Sequence, residues 1–221
     1  MKPDVPNPTG ADQKPGERLI LGVVIALALF VGFGSWLAVT VLAHREKPRG
    51  IPPDHARRLI DFSLTDDTGR NVTRTELDGK ILVVSFLFTS CSLTCPEVTK
   101  RMAEIQKLTA GQADVRLVSL TVDPRSDTPP VLAKFGAHYG LDTNRWFMLT
   151  GDKAVLHELI GTSFLARDAD DPFNSMPGNF TGTERIAVVD PQGRIRVYFD
   201  GLRPETTAAV IAETVQLRSG I

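Results

Sequence analysis

Residues 81–88 read Ile-Leu-Val-Val-Ser-Phe-Leu-Phe, with a single hydroxyl as the only polar side chain. A run this short and this continuously apolar suits a β-strand buried on both faces, since a half-exposed strand would alternate with polar residues. Such a strand needs other elements above and below its sheet. Residues 115–122, Val-Arg-Leu-Val-Ser-Leu-Thr-Val, read as a second buried strand. Two buried strands of this type predict an α/β fold.

The rest of the chain fits that frame. Residues 96–109 have helical spacing, with Val98, Met102, Ile105 and Leu108 on one face. Residues 128–139 read as a helix with Asp127 as N-cap and prolines in its first turn. Residues 153–160 and 205–217 are further helices, and 147–149 a short strand. Residues 61–65 and 71–73 make a hairpin around Asp66-Asp67-Thr68-Gly69, and 186–189 with 194–199 another around Asp190-Pro191-Gln192-Gly193. Strands alternating with helices, closed by a hairpin and a helix, give a three-layer α/β arrangement. Residues 166–181 are polar and rich in turn formers, a pattern shared by functional loops and surface insertions.

The chain has two cysteines, Cys91 and Cys95, with three residues between them. A pair that close cannot hold a fold together, because the loop it would close constrains the unfolded chain little. The pair is therefore read as a site. Cys91-Ser92-Leu93-Thr94-Cys95-Pro96 stands where the buried strand ends and a helix begins. Helix N-termini present free N–H donors and partial positive charge, which favour a thiolate. Two thiols a helical turn apart are able to close reversibly into a disulfide, and when reduced they are soft ligands suited to Cu(I). A net charge of -1, with basic residues scattered, gives no footprint for nucleic acid.

Upstream, residues 19–43 carry no charge. At 1.5 Å per residue a helix of about 25 residues exceeds the ~30 Å hydrocarbon core of a bilayer. The run is longer than a signal-peptide core, so it is read as an uncleaved transmembrane anchor. The expected organisation is an N-terminal tail (1–18), the anchor (19–43), a Pro/Arg-rich linker (44–58) and one domain (59–221). The tail, Pro-rich with Asp4, Asp12 and Glu17, is unlike an organelle transit peptide, which points to a bacterial inner membrane.

Residues 85–96, Ser-Phe-Leu-Phe-Thr-Ser-Cys-Ser-Leu-Thr-Cys-Pro, resemble the CxxxCP segment of the Sco/SenC proteins, the copper-linked assembly factors of cytochrome oxidase. The likeness continues through Val122-Asp123-Pro124, Asp127-Thr128-Pro129, Trp146, Leu149-Thr150-Gly151 and the turn Asp190-Pro191-Gln192-Gly193. It covers nearly all of the chain from about residue 60 onward. The resemblance implies a thioredoxin-like fold, a single-pass anchor and a domain facing the periplasm or intermembrane space. Lys and Arg counts flanking the span lean slightly the other way, with Lys2, Lys14 and Arg18 before it and Arg45, Lys47, Arg49, Arg57 and Arg58 after it. The chemistry of the domain outweighs that lean.

The family's copper site uses the two cysteines and a histidine eight residues before the aspartate of the late turn. Here that position is Gly182. No histidine follows His157; His44 and His55 lie in the linker, and His138 and His157 on expected helices. Met176 and Glu184 are the candidate replacements. Asp123 either borders the thiols or only ends its strand. The expected metal ligands and reactive groups are thus Cys91 and Cys95. The expected cargo is copper, as Cu(I) in preference to Cu(II), or no metal at all. Three functions fit: a metallochaperone serving the copper subunit of cytochrome oxidase or another periplasmic thiol or copper protein, a copper-independent thiol–disulfide oxidoreductase, and, last, a thiol peroxidase.

Overall fold

The computed structural model describes residues 57–164 and 184–220, all within the unit Pro48–Ile221. In chain order the elements are β1 (Ser63–Asp66), β2 (Asn71–Thr73), β3 (Ile81–Leu87), α1 (Thr94–Leu108), β4 (Val115–Thr121), α2 (Pro129–His138), β5 (Trp146–Thr150), α3 (Lys153–Leu159), β6 (Arg185–Val189), β7 (Ile195–Asp200) and α4 (Thr206–Ser219). Among the described residues, the strands form one mixed sheet in the order β2-β1-β5-β4-β3-β6-β7. β3, β4 and β5 run parallel, and antiparallel pairs flank them on both sides. All seven residues of β3 are buried.

Each face of the sheet has its own core. Ile81, Val83 and Leu87 of β3 pack with Val98, Met102 and Ile105 of α1, Leu132 of α2 and Val210 of α4. Leu82, Val84 and Phe86 pack on the opposite face with Leu156 and Leu159 of α3 and with Phe164. The three-layer α/β expectation holds. Its physical basis is the doubly buried β3, which turns alternate side chains to opposite faces and needs both layers.

Four local readings are corrected. α1 starts at Thr94, two residues earlier than its proline suggested, so Cys95 lies inside the helix. Leu108 is 62% exposed; the buried stripe runs Cys95, Val98, Met102, Ile105 and on to Thr109, whose hydroxyl donates to the Ile105 carbonyl at 2.8 Å. The N-cap of α2 is Thr128, not Asp127. The first hairpin pairs Ser63 with Thr73, so β1 begins two residues later than expected.

Two further features hold α1 in place. At its C-terminus, Arg145 donates to the carbonyls of Gln106 at 3.1 Å and Thr109 at 2.5 Å, satisfying acceptors that the helix leaves open. Near its N-terminus, Gly201 donates its N–H to the Glu184 carbonyl at 2.6 Å. A Cβ at Gly201 would come within 2.8 Å of that oxygen and 3.0 Å of Val98. Only glycine permits this approach of the loop after β7 to the helix that carries Cys95. The anchor run 19–43 lies outside the described residues, and no helix among the described residues is long and apolar enough to cross a membrane.

Candidate thiol site

β3 delivers the chain to the edge of the core at Leu87, and a turn follows in which the Cys91 N–H donates to the Phe88 carbonyl at 3.1 Å. α1 then begins after Leu93, which has no side chain able to cap it. The helix start needs acceptors for its free N–H groups. The Cys91 sulfur supplies one, accepting from the Cys95 N–H at 3.3 Å. Cys91 Sγ also lies 3.6 Å from the Thr94 hydroxyl. The thiol thus takes the place that a serine or aspartate oxygen usually fills at a helix N-terminus, where negative charge is stabilised.

The two cysteines differ in setting. Cys91 is partly exposed, whereas Cys95 is fully buried, and no disulfide joins the two. Burial pushes the Cys91 thiol up. The hydrogen bonds from the Cys95 side chain and backbone, the Thr94 hydroxyl and Leu93 outweigh it and lower the thiol from 9.0 to about 7. Cys91 is therefore the accessible, readily ionised sulfur, and Cys95 the sheltered one behind it. Leu93 between them is 82% exposed.

The turn before Cys91 is tied to the neighbouring strand by a residue whose role sequence reasoning missed. Asp127 is fully buried. Its carboxylate accepts from the Thr89 N–H at 3.1 Å, from the Thr89 hydroxyl at 2.6 Å and from the Thr121 hydroxyl. Asp127-Thr128-Pro129 looked like a helix-start signal, and that local pattern hid the long-range contact.

The remaining candidates fall elsewhere. His138 and His157 are exposed on α2 and α3, and the His138 ring lies edge-on to Tyr139 at 5.1 Å. Asp123 is partly buried just beyond β4; its N–H donates to Thr121 Oγ1 at 3.0 Å and its carbonyl accepts from Asp127 at 2.9 Å. Those bonds make it part of the loop after the strand. Glu184 is partly buried beside Gly201. His44, His55, Met176, Gly182 and the polar run 166–181 lie outside the described residues. Among the described residues no group of three or more His, Cys, Asp or Glu converges. The donor set in view is two soft sulfurs, which suits two-coordinate Cu(I) and lacks the nitrogen and oxygen ligands that Cu(II) prefers.

Comparison with known proteins agrees with this architecture. Residues 52–216 match the SCO1/SenC family model. The SCO1 protein homolog of Bacillus subtilis (strain 168) is 38% identical over 107 residues, 48% of this chain and 55% of that protein. The chain thus spans about half the length of that relative. The solved structure of BsSco, described as a member of the Sco family of cytochrome c oxidase assembly proteins with a disulfide switch, is 27% identical with a TM-score of 0.62, covering 74% of this chain and 95% of that one. Bradyrhizobium japonicum ScoI, solved with copper bound, is 26% identical with a TM-score of 0.55, covering 70% and 98%. With a family match over most of its length and a thioredoxin-like sheet that ends at the thiol pair, the chain belongs to the SCO1/SenC family.

Proposed function

We propose that this is a membrane-anchored Sco protein that carries Cu(I) on Cys91 and Cys95 for cytochrome c oxidase assembly, with its thiol domain on the periplasmic side of a bacterial inner membrane. The observation that carries the reading is the Cys91 sulfur at the start of α1, held by the Cys95 N–H and ionising at about 7. A thiolate at neutral pH is the form that binds a soft metal and attacks a disulfide. Copper bound in the Bradyrhizobium japonicum relative supports the metal. The receiving partner is the copper subunit of the oxidase or another periplasmic thiol or copper protein. The uncharged run 19–43 supports the anchor.

A second reading, copper-independent thiol–disulfide exchange, is favoured by Gly182, which stands where the family's histidine is expected. The disulfide switch described for BsSco supports it as well. Cu(I) carriage needs both sulfurs within reach of one metal ion; thiol–disulfide exchange needs the same two sulfurs to close on each other and reopen. Alkylation of the full-length chain before and after oxidation, followed by mass spectrometry, tests this closure. The expected product is an intramolecular Cys91–Cys95 bridge that reductant reopens. Two free thiols after oxidation, or bridges only between chains, would contradict it.

A further inference from the structure

We propose that Asp127 is a positioning residue for Cys91: its buried carboxylate locks the turn that carries the thiol onto the end of β4. This rests on the reversible Cys91–Cys95 closure proposed above.

Three observations lead here. First, Asp127 is fully buried, and a buried carboxylate is costly unless donors surround it. Second, those donors come from two separate segments. Thr89, two residues before Cys91, gives its N–H at 3.1 Å and its hydroxyl at 2.6 Å, and Thr121 at the end of β4 gives its hydroxyl. Thr121 Oγ1 in turn accepts from the Asp123 N–H at 3.0 Å, and the Asp127 N–H returns to the Asp123 carbonyl at 2.9 Å. The network closes on itself, joining the loop after β4 to the turn before Cys91. Third, the carboxylate forgoes a local role. Asp127 immediately precedes the N-cap of α2, and that helix start has no side-chain cap hydrogen bond. Here the carboxylate is turned away from α2 and onto Thr89.

The functional consequence follows from where the two sulfurs are anchored. Cys95 is fixed by the helix and by its burial. Cys91 sits on the turn, so its position relative to Cys95 depends on what holds that turn. A tethered turn keeps the sulfurs at high effective concentration; a loose one dilutes Cys91 over more positions. Closure with oxidised glutathione makes the difference measurable. The Cys91 thiolate attacks glutathione disulfide, forming a mixed disulfide and releasing one glutathione thiolate. The Cys95 sulfur, giving up its proton, then attacks Cys91 Sγ and expels the second glutathione thiolate. Counted from the dithiol, the protein loses two electrons and two protons, one of them in forming the Cys91 thiolate, and one glutathione disulfide takes them up to become two glutathione thiols. Effective concentration enters the second step.

The test is the glutathione equilibrium constant of the full-length chain in detergent, for the wild type, Asp127→Ala, Asp127→Asn and Thr89→Val, with cooperative thermal unfolding confirming that each is folded. Asp127→Ala is expected to weaken closure at least tenfold, making the couple about 30 mV more oxidising. Asp127→Asn keeps a carbonyl acceptor for Thr89 and is expected to stay within threefold of the wild type. Thr89→Val removes only the hydroxyl arm and is expected to weaken closure three- to tenfold. A purely structural Asp127 would lower the melting temperature and leave the constant alone. Closure of Asp127→Ala within twofold of the wild type overturns the inference. If that variant does not fold, closure of Thr89→Val within twofold overturns it instead. A wild-type chain that never closes overturns the thiol–disulfide exchange reading and this inference with it, whereas normal closure in both wild type and Asp127→Ala overturns the inference alone.

Discussion

Replacing Cys95 with alanine should raise the ionisation midpoint of Cys91 and slow its reaction near neutrality. With a midpoint of about 7, roughly half of Cys91 is thiolate at pH 7, against about 1% for a thiol at 9.0. Among the groups that lower it, the Cys95 side chain ranks first and the Cys95 N–H second. Cys95→Ala removes the former and keeps the latter, because the amide at 3.3 Å belongs to the backbone. A rise of about one unit is expected, cutting the thiolate fraction at pH 7 to about a tenth and the alkylation rate about fivefold. The assay is the pH profile of iodoacetamide alkylation on the reduced chain, with the Cys91 peptide followed by mass spectrometry. The variant reads cleanly, since Cys91 is then the only cysteine. The same depressed midpoint has a stability signature. Between about 7 and the unfolded value near 9 the unfolded chain holds the proton and the folded one does not, so this group makes the reduced protein more stable as pH rises across that window. Its contribution is lost as pH falls through 7, and Cys91→Ser should abolish the slope. A wild-type midpoint at 8.5 or above would refute the capping argument, and one that Cys95→Ala leaves unmoved would refute the part assigned to the Cys95 thiol.

Gly201→Ala should destabilise the domain by about 1–3 kcal/mol in urea unfolding, because the new methyl meets the Glu184 carbonyl at 2.8 Å and Val98 at 3.0 Å; an unchanged midpoint would show that the loop after β7 gives way freely. Arg145→Ala should cost about 1–3 kcal/mol by stripping donors from the Gln106 and Thr109 carbonyls at the end of α1, and Arg145→Lys should recover only part of it, which thermal unfolding of the set will measure. An export-dependent reporter fused after Ile221 should be active, placing the domain on the periplasmic side; activity of a cytosol-dependent reporter there would overturn the orientation.

What could be read directly from the chain was whatever local pattern decides. β3 announces itself because every residue is buried, so no polar alternation confuses its period. The turns Asp66-Asp67-Thr68-Gly69-Arg70 and Asp190-Pro191-Gln192-Gly193-Arg194 are legible for the same reason. In each the aspartate accepts from the N–H groups two and four residues on, and the glycine takes a positive φ, 85° at Gly69 and 76° at Gly193. The place of the two cysteines, between the end of β3 and the first turn of α1, was legible from spacing. What escaped was decided across the fold. Cys95 lies within α1 because a sulfur from the preceding turn caps the helix, and no sequence rule counts cysteine as a cap. Asp127 carried a strong local signal for an N-cap, yet its carboxylate is 38 residues away in sequence from the Thr89 it holds. Leu108 continued the spacing by three where the buried face steps by four to Thr109.

The central claim is that Cys91 and Cys95 together hold Cu(I). The most direct measurement is a competition titration of the reduced full-length chain with Cu(I) against a chromophoric chelator, for the wild type, Cys91→Ser and Cys95→Ser. The account predicts one Cu(I) per wild-type chain, binding lost in both variants, and no comparably tight Cu(II) complex, since two thiolates satisfy Cu(I) but leave Cu(II) short of nitrogen and oxygen donors. A wild-type chain that binds no Cu(I), or a Cu(I) complex that survives both substitutions, would contradict it.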